Sequence, residues 1–440
     1  MNKTDIHHKA KPWSWIPTLY FAEGIPYFIV NNISVIMFNN MGMSKADMAL
    51  YTSLLYLPWV IKPLWSPFVD IIRTKRWWIV TMQIIMAASF FLLALTLPSP
   101  SPEVIAEGHT PVSLFVVTLL IFYLTAIASA THDIAADGFY MIALDSGQQS
   151  MFVGIRSTFY RLSSIFGQGV LVVIAGLLET KMRNIPKAWS ITLIISAVIF
   201  ATITLWHTFS LPRPREDSSR ELNAAGIFKE FGRTFLTFFQ KKGVIVAMLF
   251  MLLYRLPEAF LVKMMNPFLL NSAEQGGLGL STEAVGLVYG TAGVAALTVG
   301  GILGGIFASK RGLKKSMWLM AASLTLPCLC FVFLSMFQPS NIWVIGSCVV
   351  LDQFGYGFGF TAYMLYLIYF SEGEFKTAHY SLCTAFMALS MMIPGMVAGY
   401  LQQWLGYTGF FIMVMFCCLV TVAVTMLVKV DPEFGKRESA

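Results

Sequence analysis

Residues 113–141 read SLFVVTLLIFYLTAIASATHDIAADGFYM, an almost unbroken apolar run that ends in a short cluster of ionisable side chains. The run exceeds the ~20 residues that an α-helix needs to cross a hydrocarbon core of ~30 Å. Its ionisable side chains include His132, Asp133 and Asp137. The sequence therefore predicts a membrane-spanning helix that carries charge within the membrane.

The composition of the whole chain supports this interpretation. Of its 440 residues, 57% are hydrophobic and only 12% are charged, and the mean hydropathy is +0.69. A soluble domain needs more polar surface than this composition supplies. Because lipid offers no partners for backbone N–H and C=O groups, the spanning segments must be helices. We therefore predict an all-α, polytopic membrane protein embedded in a lipid bilayer.

Apolar runs along the chain predict twelve spans in two six-helix halves. The first half is expected to occupy residues 1–209 and the second 244–440. A linker over 210–243, with a short amphipathic helix, joins them. The spans are predicted near 13–39, 46–70, 77–97, 113–141, 151–178, 188–209, 244–270, 283–308, 317–337, 343–370, 378–402 and 407–429.

The distribution of lysine and arginine predicts how the chain is inserted. With a cytoplasmic N-terminus, 21 of the 30 basic residues fall in cytoplasmic segments and five within spans. The opposite face receives only Lys45, Lys181, Arg183 and Lys187. Since basic loops stay in the cytoplasm during insertion, both termini are predicted to be cytoplasmic. The net charge of +7 is then an orientation signal, and no nucleic-acid partner is expected.

Ionisable side chains within the apolar runs point to function. A charge at membrane depth costs at least ~2.5–3.5 kcal/mol, so such residues normally face a bundle interior. The set comprises Glu23, Lys62, His132, Asp133, Asp137, Arg156, Arg161, Arg255, Glu258, Lys263 and Asp352. An interior this rich in ions indicates a carrier of polar substrates.

Two of these acids lie one turn apart on the same helix face. Two like charges at the positions of Asp133 and Asp137 are not easily ionised together in a low-dielectric environment. We predict that these acids, with Glu23 and Glu258, take part in proton coupling. The alternative is that Asp133 and Asp137 only pair with the arginines of span 5 and hold spans 4 and 5 together.

The buried cations suggest how an anionic substrate is held. Arg255 and Glu258 are three residues apart and could satisfy each other, which is a structural alternative to function. Lys263 then has no obvious local partner. We predict that Lys263, with Lys62 and Arg161, binds a carboxylate or phosphate of the substrate.

Polar stripes on spans 1, 7 and 10 could contact a sugar-like substrate. Asn31 and Asn266 each follow a buried glutamate by eight residues, which is a weak internal repeat between the halves. Asp352, Tyr363 and Tyr366 lie on one stripe of span 10, where aromatic faces could stack on a sugar ring. Such stripes also occur in ordinary helix packing.

Motifs for catalysis and cofactor binding are absent from the sequence. It contains no Walker motif, no nucleophile elbow and no histidine or cysteine pair at metal-ligand spacing. We therefore expect no enzyme activity, no cofactor and no metal. The energy for transport must then come from an ion gradient or from the substrate's own gradient.

Four stretches of the first half resemble the muropeptide permease (AmpG-type) family of the major facilitator superfamily and its relatives, the acetyl-CoA transporters. They are LYFAEGIP at 19–26, KPLWSPFVD at 62–70, SATHDIAADG at 129–138 and the pair Tyr160-Arg161. His132 stands where the family commonly has glutamine. The matching positions are Gly24, Pro26, Lys62, Asp70, Asp133, Asp137 and Arg161.

This resemblance implies a major facilitator fold and proton-driven import of cell-wall fragments across a bacterial inner membrane by a monomer. The expected cargo is N-acetylglucosamine linked to anhydro-N-acetylmuramic acid, with or without peptide. It also implies that Tyr160 and Arg161 contact substrate. The basic loops after spans 2 and 8 match the superfamily's gating motif at Asp70, Arg73, Lys310 and Arg311, although Ser309 replaces the usual aspartate.

Other functions stay open at this point. The shared DIAxDG pattern also fits a carrier of acetyl-CoA or of another oligosaccharide. A membrane-embedded sensor or a transferase that moves a glycan or acyl group is a further alternative, although no set of nucleophilic residues supports it.

Overall fold

A computed structural model describes residues 11–107, 110–144, 146–214, 217, 224–373 and 376–435. Within these ranges the chain is almost entirely helical, and ten helices are long and apolar enough to cross a membrane. Eight of these are span 1 (Pro12–Asn40), span 3 (Lys75–Thr96), span 4 (Val112–Ala143), span 6 (Ile185–Ser210), span 7 (Val244–Leu270), span 8 (Thr282–Arg311), span 9 (Leu313–Phe337) and span 10 (Ile342–Ser371). Span 1 has a short break at Trp15, and span 7 has one at Tyr254 and Arg255. Span 5 consists of Ser146–Ser164, Ile165–Leu171 and Val172–Met182.

Span 2 is broken into short pieces where a single helix is predicted over 46–70. The pieces are Lys45–Leu54, Leu57–Ile61, Lys62–Leu64 and Ser66–Ile71. Each of the last three has a proline in its first turn. Proline is tolerated there because it lacks only an N–H that has no partner within the helix, and it cannot continue the preceding helix.

Spans 11 and 12 lie in one continuous run, Lys376–Leu427, that turns at Gly406. Gly406 has φ 68° and ψ 174°, which a residue with a side chain rarely adopts. The turn separates residues 376–405 from 407–427. Together with the broken span 2, this division gives the twelve spans, and the predicted all-α class is confirmed.

The linker between span 6 and span 7 contacts the start of span 3. Its described helix is Ala224–Phe239. Upstream, the Asp217 carboxylate accepts hydrogen bonds from the backbone N–H groups of Lys75 (2.7 Å) and Arg76 (3.0 Å). The Arg76 guanidinium also donates to the carbonyl oxygens of Thr208 (2.5 Å) and Leu211 (3.3 Å). These bonds join the loop after span 2 to the end of span 6 and to the linker.

The outer surface exposes many large apolar side chains, which are suited to contact with lipid and not with water. Trp343, Trp404 and Phe209 are 82%, 80% and 79% exposed, and many other large apolar side chains share this surface. Soluble monomers rarely expose apolar surface on this scale. The chain is a multi-pass membrane protein.

The two halves approach each other closely at the end of the molecule opposite the termini. A β-carbon placed on Gly290 in span 8 would lie 1.8 Å from the Gln168 carbonyl oxygen in span 5. One placed on Gly399 in span 11 would lie 2.0 Å from the Lys45 carbonyl oxygen in span 2. Glycine allows the backbones to touch at both crossings, and the molecule is closed at this end.

Glycines at helix contacts within the second half give a stability prediction. A β-carbon on Gly355 would lie 2.1 Å from the Ser323 carbonyl oxygen, whereas one on Gly305 meets nothing within 4 Å. We expect Gly355→Ala to destabilise the protein by ~1–3 kcal/mol through overpacking of spans 9 and 10. Gly305→Ala should be neutral or stabilising by up to ~1 kcal/mol. Thermal denaturation of the purified variants in detergent measures both, and equal melting temperatures would contradict this packing.

Candidate substrate and ion site

The first half contains a buried ion pair between span 2 and span 4. The Lys62 Nζ donates to the Asp133 Oδ2, and the two side chains are 18% and 19% exposed. Lys62 lies where the proline-rich segment of span 2 changes from one short helix to the next. Asp133 is therefore paired with a lysine of span 2. The alternative considered from the sequence was that it pairs with an arginine of span 5.

Asp137, one turn further along span 4, pairs with Arg156 of span 5. The Arg156 Nη2 lies 2.6 Å from the Asp137 Oδ1, and the side chains are 29% and 43% exposed. The guanidinium also lies over the rings of Tyr20 (4.4 Å) and Tyr140 (5.2 Å). For Asp137 the structure shows the helix-joining contact that the sequence left open. Exposure increases from Asp133 to Asp137, so the interior opens toward the end with the termini.

Glu23 of span 1 lies beside these ion pairs. Its side chain is 9% exposed and adjoins Asp133, and its Oε2 has no hydrogen-bond partner. Glu23, Lys62, Asp133, Asp137 and Arg156 thus form one cluster on four spans, which we call the first-half ion cluster. Three acids and two bases in one site, buried at Glu23 and more exposed at Asp137, can exchange a proton without leaving a large uncompensated charge.

A buried chain of hydrogen bonds lies behind this cluster and was not predicted. The Gln83 amide contacts the His132 Nε2 (3.0 Å) and the His207 Nδ1 (2.9 Å), and the His207 Nε2 lies 2.9 Å from the Thr18 hydroxyl. The four residues come from spans 1, 3, 4 and 6. Gln83 and His207 are polar residues in otherwise apolar runs of the sequence. Their position in those runs could have indicated buried hydrogen bonds between the spans.

The second cluster surrounds a small cavity between the two halves. Asn31 of span 1 and Lys263 and Asn266 of span 7 line it, together with Tyr56 of span 2. The Lys263 Nζ donates to the Thr52 hydroxyl (3.0 Å) and lies 5.7 Å from the centre of the Tyr56 ring. We call Asn31, Lys263 and Asn266 the central polar site.

The polar groups of the central polar site are incompletely satisfied. Lys263 is 6% exposed, and in the described part of the chain no carboxylate lies within 4.0 Å of it. The side-chain oxygens of Asn31 and Asn266 are buried and have no hydrogen-bond partner. A cation and two amides that face one cavity can bind an anionic, hydrogen-bonding ligand.

Arg255 and Glu258 do not pair in the described residues, contrary to the structural alternative. Arg255 donates to the Tyr356 hydroxyl and lies 4.5 Å from the centre of the Phe360 ring. Both Glu258 oxygens are buried without a hydrogen bond. Asp352 lies near Glu258 and accepts a hydrogen bond from Gln353 (3.1 Å). Glu258 and Asp352 therefore form a buried acidic pair rather than part of the central polar site.

The two tyrosines predicted to stack on a sugar pack inside the second half instead. Tyr363 is fully buried, and its hydroxyl donates to the Met251 carbonyl oxygen (2.7 Å). Tyr366 is 4% exposed and its ring centre lies 4.5 Å from that of Phe250. Both hold span 10 against span 7. Ordinary helix packing, the alternative considered for this stripe, is what the structure shows.

Tyr160 and Arg161, which were predicted to contact substrate, lie next to different spans. The Tyr160 ring centre is 5.7 Å from that of Phe28 in span 1. The Arg161 guanidinium lies against Gly301 of span 8, in the other half, since a β-carbon on Gly301 would be 3.4 Å from it. Neither residue lines the cavity beside Lys263.

The predicted gating residues are only partly described. The side chain of Asp70 lies outside the described residues. Arg73 has φ 65°, so it forms a tight turn after span 2. Arg311 lies over the Phe307 ring at 4.8 Å, and Lys310 precedes it at the end of span 8. Their gating role stays a prediction.

Twelve spans around interior ions and a cavity between two halves define a multi-pass membrane transporter. The sequence pattern of the Major Facilitator Superfamily matches residues 18–377, and the chain belongs to this superfamily. It is a secondary transporter, and this family membership points away from an enzyme.

The chain is similar to bacterial relatives along most of its length. A Rickettsia felis protein provisionally named transporter AmpG 4 is 24% identical over 417 residues, which cover 93% of this chain and 94% of the relative. An uncharacterised Haemophilus influenzae protein is 22% identical over 416 residues, which cover 91% and 90% of the two chains. The AmpG names agree with the resemblance inferred from the motifs.

Solved structures share the fold. A D-xylose–proton symporter superposes with a TM-score of 0.71 at 12% identity, covering 96% of this chain and 98% of that one. A bacterial homologue of the human lysosomal transporter Spinster, in an inward-facing and unoccupied conformation, gives 0.66 at 14% identity, covering 97% and 96%. At this level of identity the likeness establishes the architecture alone.

The two ion pairs of the first-half ion cluster should differ in their contribution to stability. Lys62→Met or Asp133→Asn alone leaves a mostly buried charge unpaired, with an expected cost of ~3–5 kcal/mol, and the double variant should recover much of it. Arg156→Met or Asp137→Asn should cost ~1 kcal/mol or less, because that pair is more exposed. Melting temperatures in detergent test this double-mutant cycle. Additive losses for Lys62 and Asp133 would contradict the pairing.

Proposed function

We propose that the chain is a proton-coupled importer of muropeptides in a bacterial inner membrane, with both termini in the cytoplasm. The observation that carries this proposal is the central polar site, where Lys263 has no described acidic partner and two asparagines have unpartnered oxygens. The cargo would be N-acetylglucosamine linked to anhydro-N-acetylmuramic acid, with or without peptide. The AmpG-type motifs and the similarly named relatives support this choice.

Muropeptide chemistry suits this site. The anhydromuramic unit carries a lactyl group that ends in a carboxylate or in the attached peptide, and both sugars carry N-acetyl and hydroxyl groups. Lys263 would bind the carboxylate, while Asn31 and Asn266 would bond the amide and hydroxyl groups. Two asparagines, one from each half, allow the substrate to contact both halves at once.

Proton coupling would run through the first-half ion cluster, with Glu258 as the corresponding acid of the second half. A proton on Asp133 removes the charge that neutralises Lys62. Lys62 would then be available to the substrate anion, which links proton uptake to substrate binding. We further propose that residues 1–209 and 244–440 rock as two units joined by 210–243, so that the site faces each side in turn.

Uptake by proteoliposomes tests the function directly. The purified chain should accumulate the labelled anhydro-disaccharide when the outside is more acidic than the inside, because inward proton flow drives symport. Collapse of the gradient with a protonophore should abolish accumulation. Uptake that persists without a gradient would contradict proton symport. Uptake of labelled acetyl-CoA or of a labelled neutral oligosaccharide, with no uptake of the disaccharide, would assign a different cargo to the same site.

The role of Lys263 can be separated from general effects on folding. Lys263→Met removes the charge that would bind the substrate carboxylate, so we expect KM for the disaccharide to increase about 10- to 100-fold, since a charged hydrogen bond contributes ~1.5–3 kcal/mol. Lys187→Met, at an exposed position in the first turn of span 6, is the matched control and should leave KM unchanged. An unchanged KM in Lys263→Met would exclude Lys263 from the site.

Neutral variants of the proton-coupling acids should uncouple transport from the gradient. Glu23→Gln and Asp133→Asn cannot release and rebind a proton, so gradient-driven accumulation should be lost. Exchange of internal for external substrate needs no net proton movement and should continue at a measurable rate. Exchange, measured as counterflow, and gradient-driven uptake are compared on the same proteoliposomes to test the loss of coupling. Loss of both activities in properly folded protein would show a structural role instead.

A further inference from the structure

A ring of hydrogen bonds joins the two halves at the end opposite the termini. The Glu179 carboxylate, in the last turn of span 5, accepts from the Asn40 amide (3.0 Å) and from the Thr282 hydroxyl (2.6 Å). The Asn40 amide also donates to the Thr282 hydroxyl oxygen (2.8 Å). The Asn40 amide has two N–H groups, one for the Glu179 Oε1 and one for the Thr282 hydroxyl oxygen, and the Thr282 hydroxyl donates to the Glu179 Oε2. The three side chains therefore satisfy one another.

The ring crosses from one half to the other at a single residue. Asn40 and Glu179 end spans 1 and 5 of the first half, whereas Thr282 begins span 8 of the second half. Thr282 is 6% exposed, and the backbones approach closely beside it. A β-carbon on Gly176 would lie only 2.3 Å from the Glu283 backbone nitrogen.

Glu179 is anchored separately within the first half. The indole Nε1 of Trp189, in span 6, donates to the Glu179 Oε1 (2.7 Å), and Trp189 is fully buried. No ion pair of Glu179 occurs in the part of the chain that the structure describes. If the halves separated here, Thr282 would leave the ring while Asn40 and Trp189 could stay bonded to the carboxylate.

We propose that the Glu179 carboxylate keeps this end of the transporter closed through its hydrogen bond with Thr282 of the opposite half. We call this contact the latch. The inference rests on the proposed function only in that the halves rock, and not on the identity of the cargo. Hydrogen bonds to a carboxylate are stronger than neutral ones, so a few of them can set the ratio of closed to open molecules. Glu179 acts as a positioning residue and does not contact substrate.

A second contact at the same end limits the expected effect. The Lys45 Nζ of span 2 lies 4.8 Å from the centre of the Tyr407 ring in span 12, so it also joins the halves. Loss of the latch should therefore shift the equilibrium without opening every molecule. We expect the open fraction to increase about tenfold, which corresponds to the loss of roughly one charged hydrogen bond.

Spin-label distances across this end test the latch. The full chain, with its six native cysteines replaced by alanine, would carry labels at Lys187→Cys and Asn341→Cys, two exposed positions in opposite halves. Double electron–electron resonance spectroscopy on the substrate-free protein in liposomes measures the fractions of molecules with short and with long distances between the two labels. Glu179→Gln and Thr282→Val should both increase the long-distance fraction.

Matched variants distinguish a latch from general loosening. Thr282→Ser keeps the hydroxyl and should remain closed. Trp189→Phe removes only the bond within the first half and should open much less than Glu179→Gln. The proposal is overturned if Glu179→Gln and Thr282→Val leave the distances unchanged, or if Trp189→Phe opens the molecule to the same degree. Because no substrate is present, a wrong cargo assignment cannot produce either result.

Discussion

The cost of placing an ion in lipid is the constraint on which the rest of this structure depends. A charged side chain within the hydrocarbon core has to face an interior that supplies a partner or water. The chain meets this constraint differently in its two halves. The first half pairs Lys62 with Asp133 and Arg156 with Asp137, whereas Lys263 in the second half faces a cavity without a described acidic partner.

This asymmetry suggests a division of roles that extends the proposed function. Paired acids and bases can redistribute a proton, because a change on one partner alters the charge that the other presents. An unpaired cation beside two amides is suited to ligand binding. The closed end, where Glu179 and Thr282 meet, would keep the central polar site from opening to both sides at once.

The architecture could be predicted largely from the sequence, because apolar length and lipid chemistry are local properties. The predicted bounds of span 7, residues 244–270, match the observed span, which has a short break at Tyr254 and Arg255. Pro58, Pro63 and Pro67 mark the breaks in span 2, although the apolar pattern by itself predicts one helix there. Contacts between distant residues could not be predicted. The partner of Lys62 lies 71 residues away, and an identical stripe of tyrosines can face either a cavity or a neighbouring helix.

The proposed alternating access requires that Asn31 and Asn266, one from each half and both buried in this structure, face one site that opens to water as the halves rock. Single cysteines at these positions, in the chain without native cysteines, can be treated in proteoliposomes with a water-soluble maleimide. A cysteine at Val198, an outward-facing position in the middle of span 6, serves as the negative control, and one at Lys187 serves as the positive control. Both site cysteines should react, and substrate should slow the reaction. Site cysteines as unreactive as the one at Val198 would contradict a shared site that opens to water.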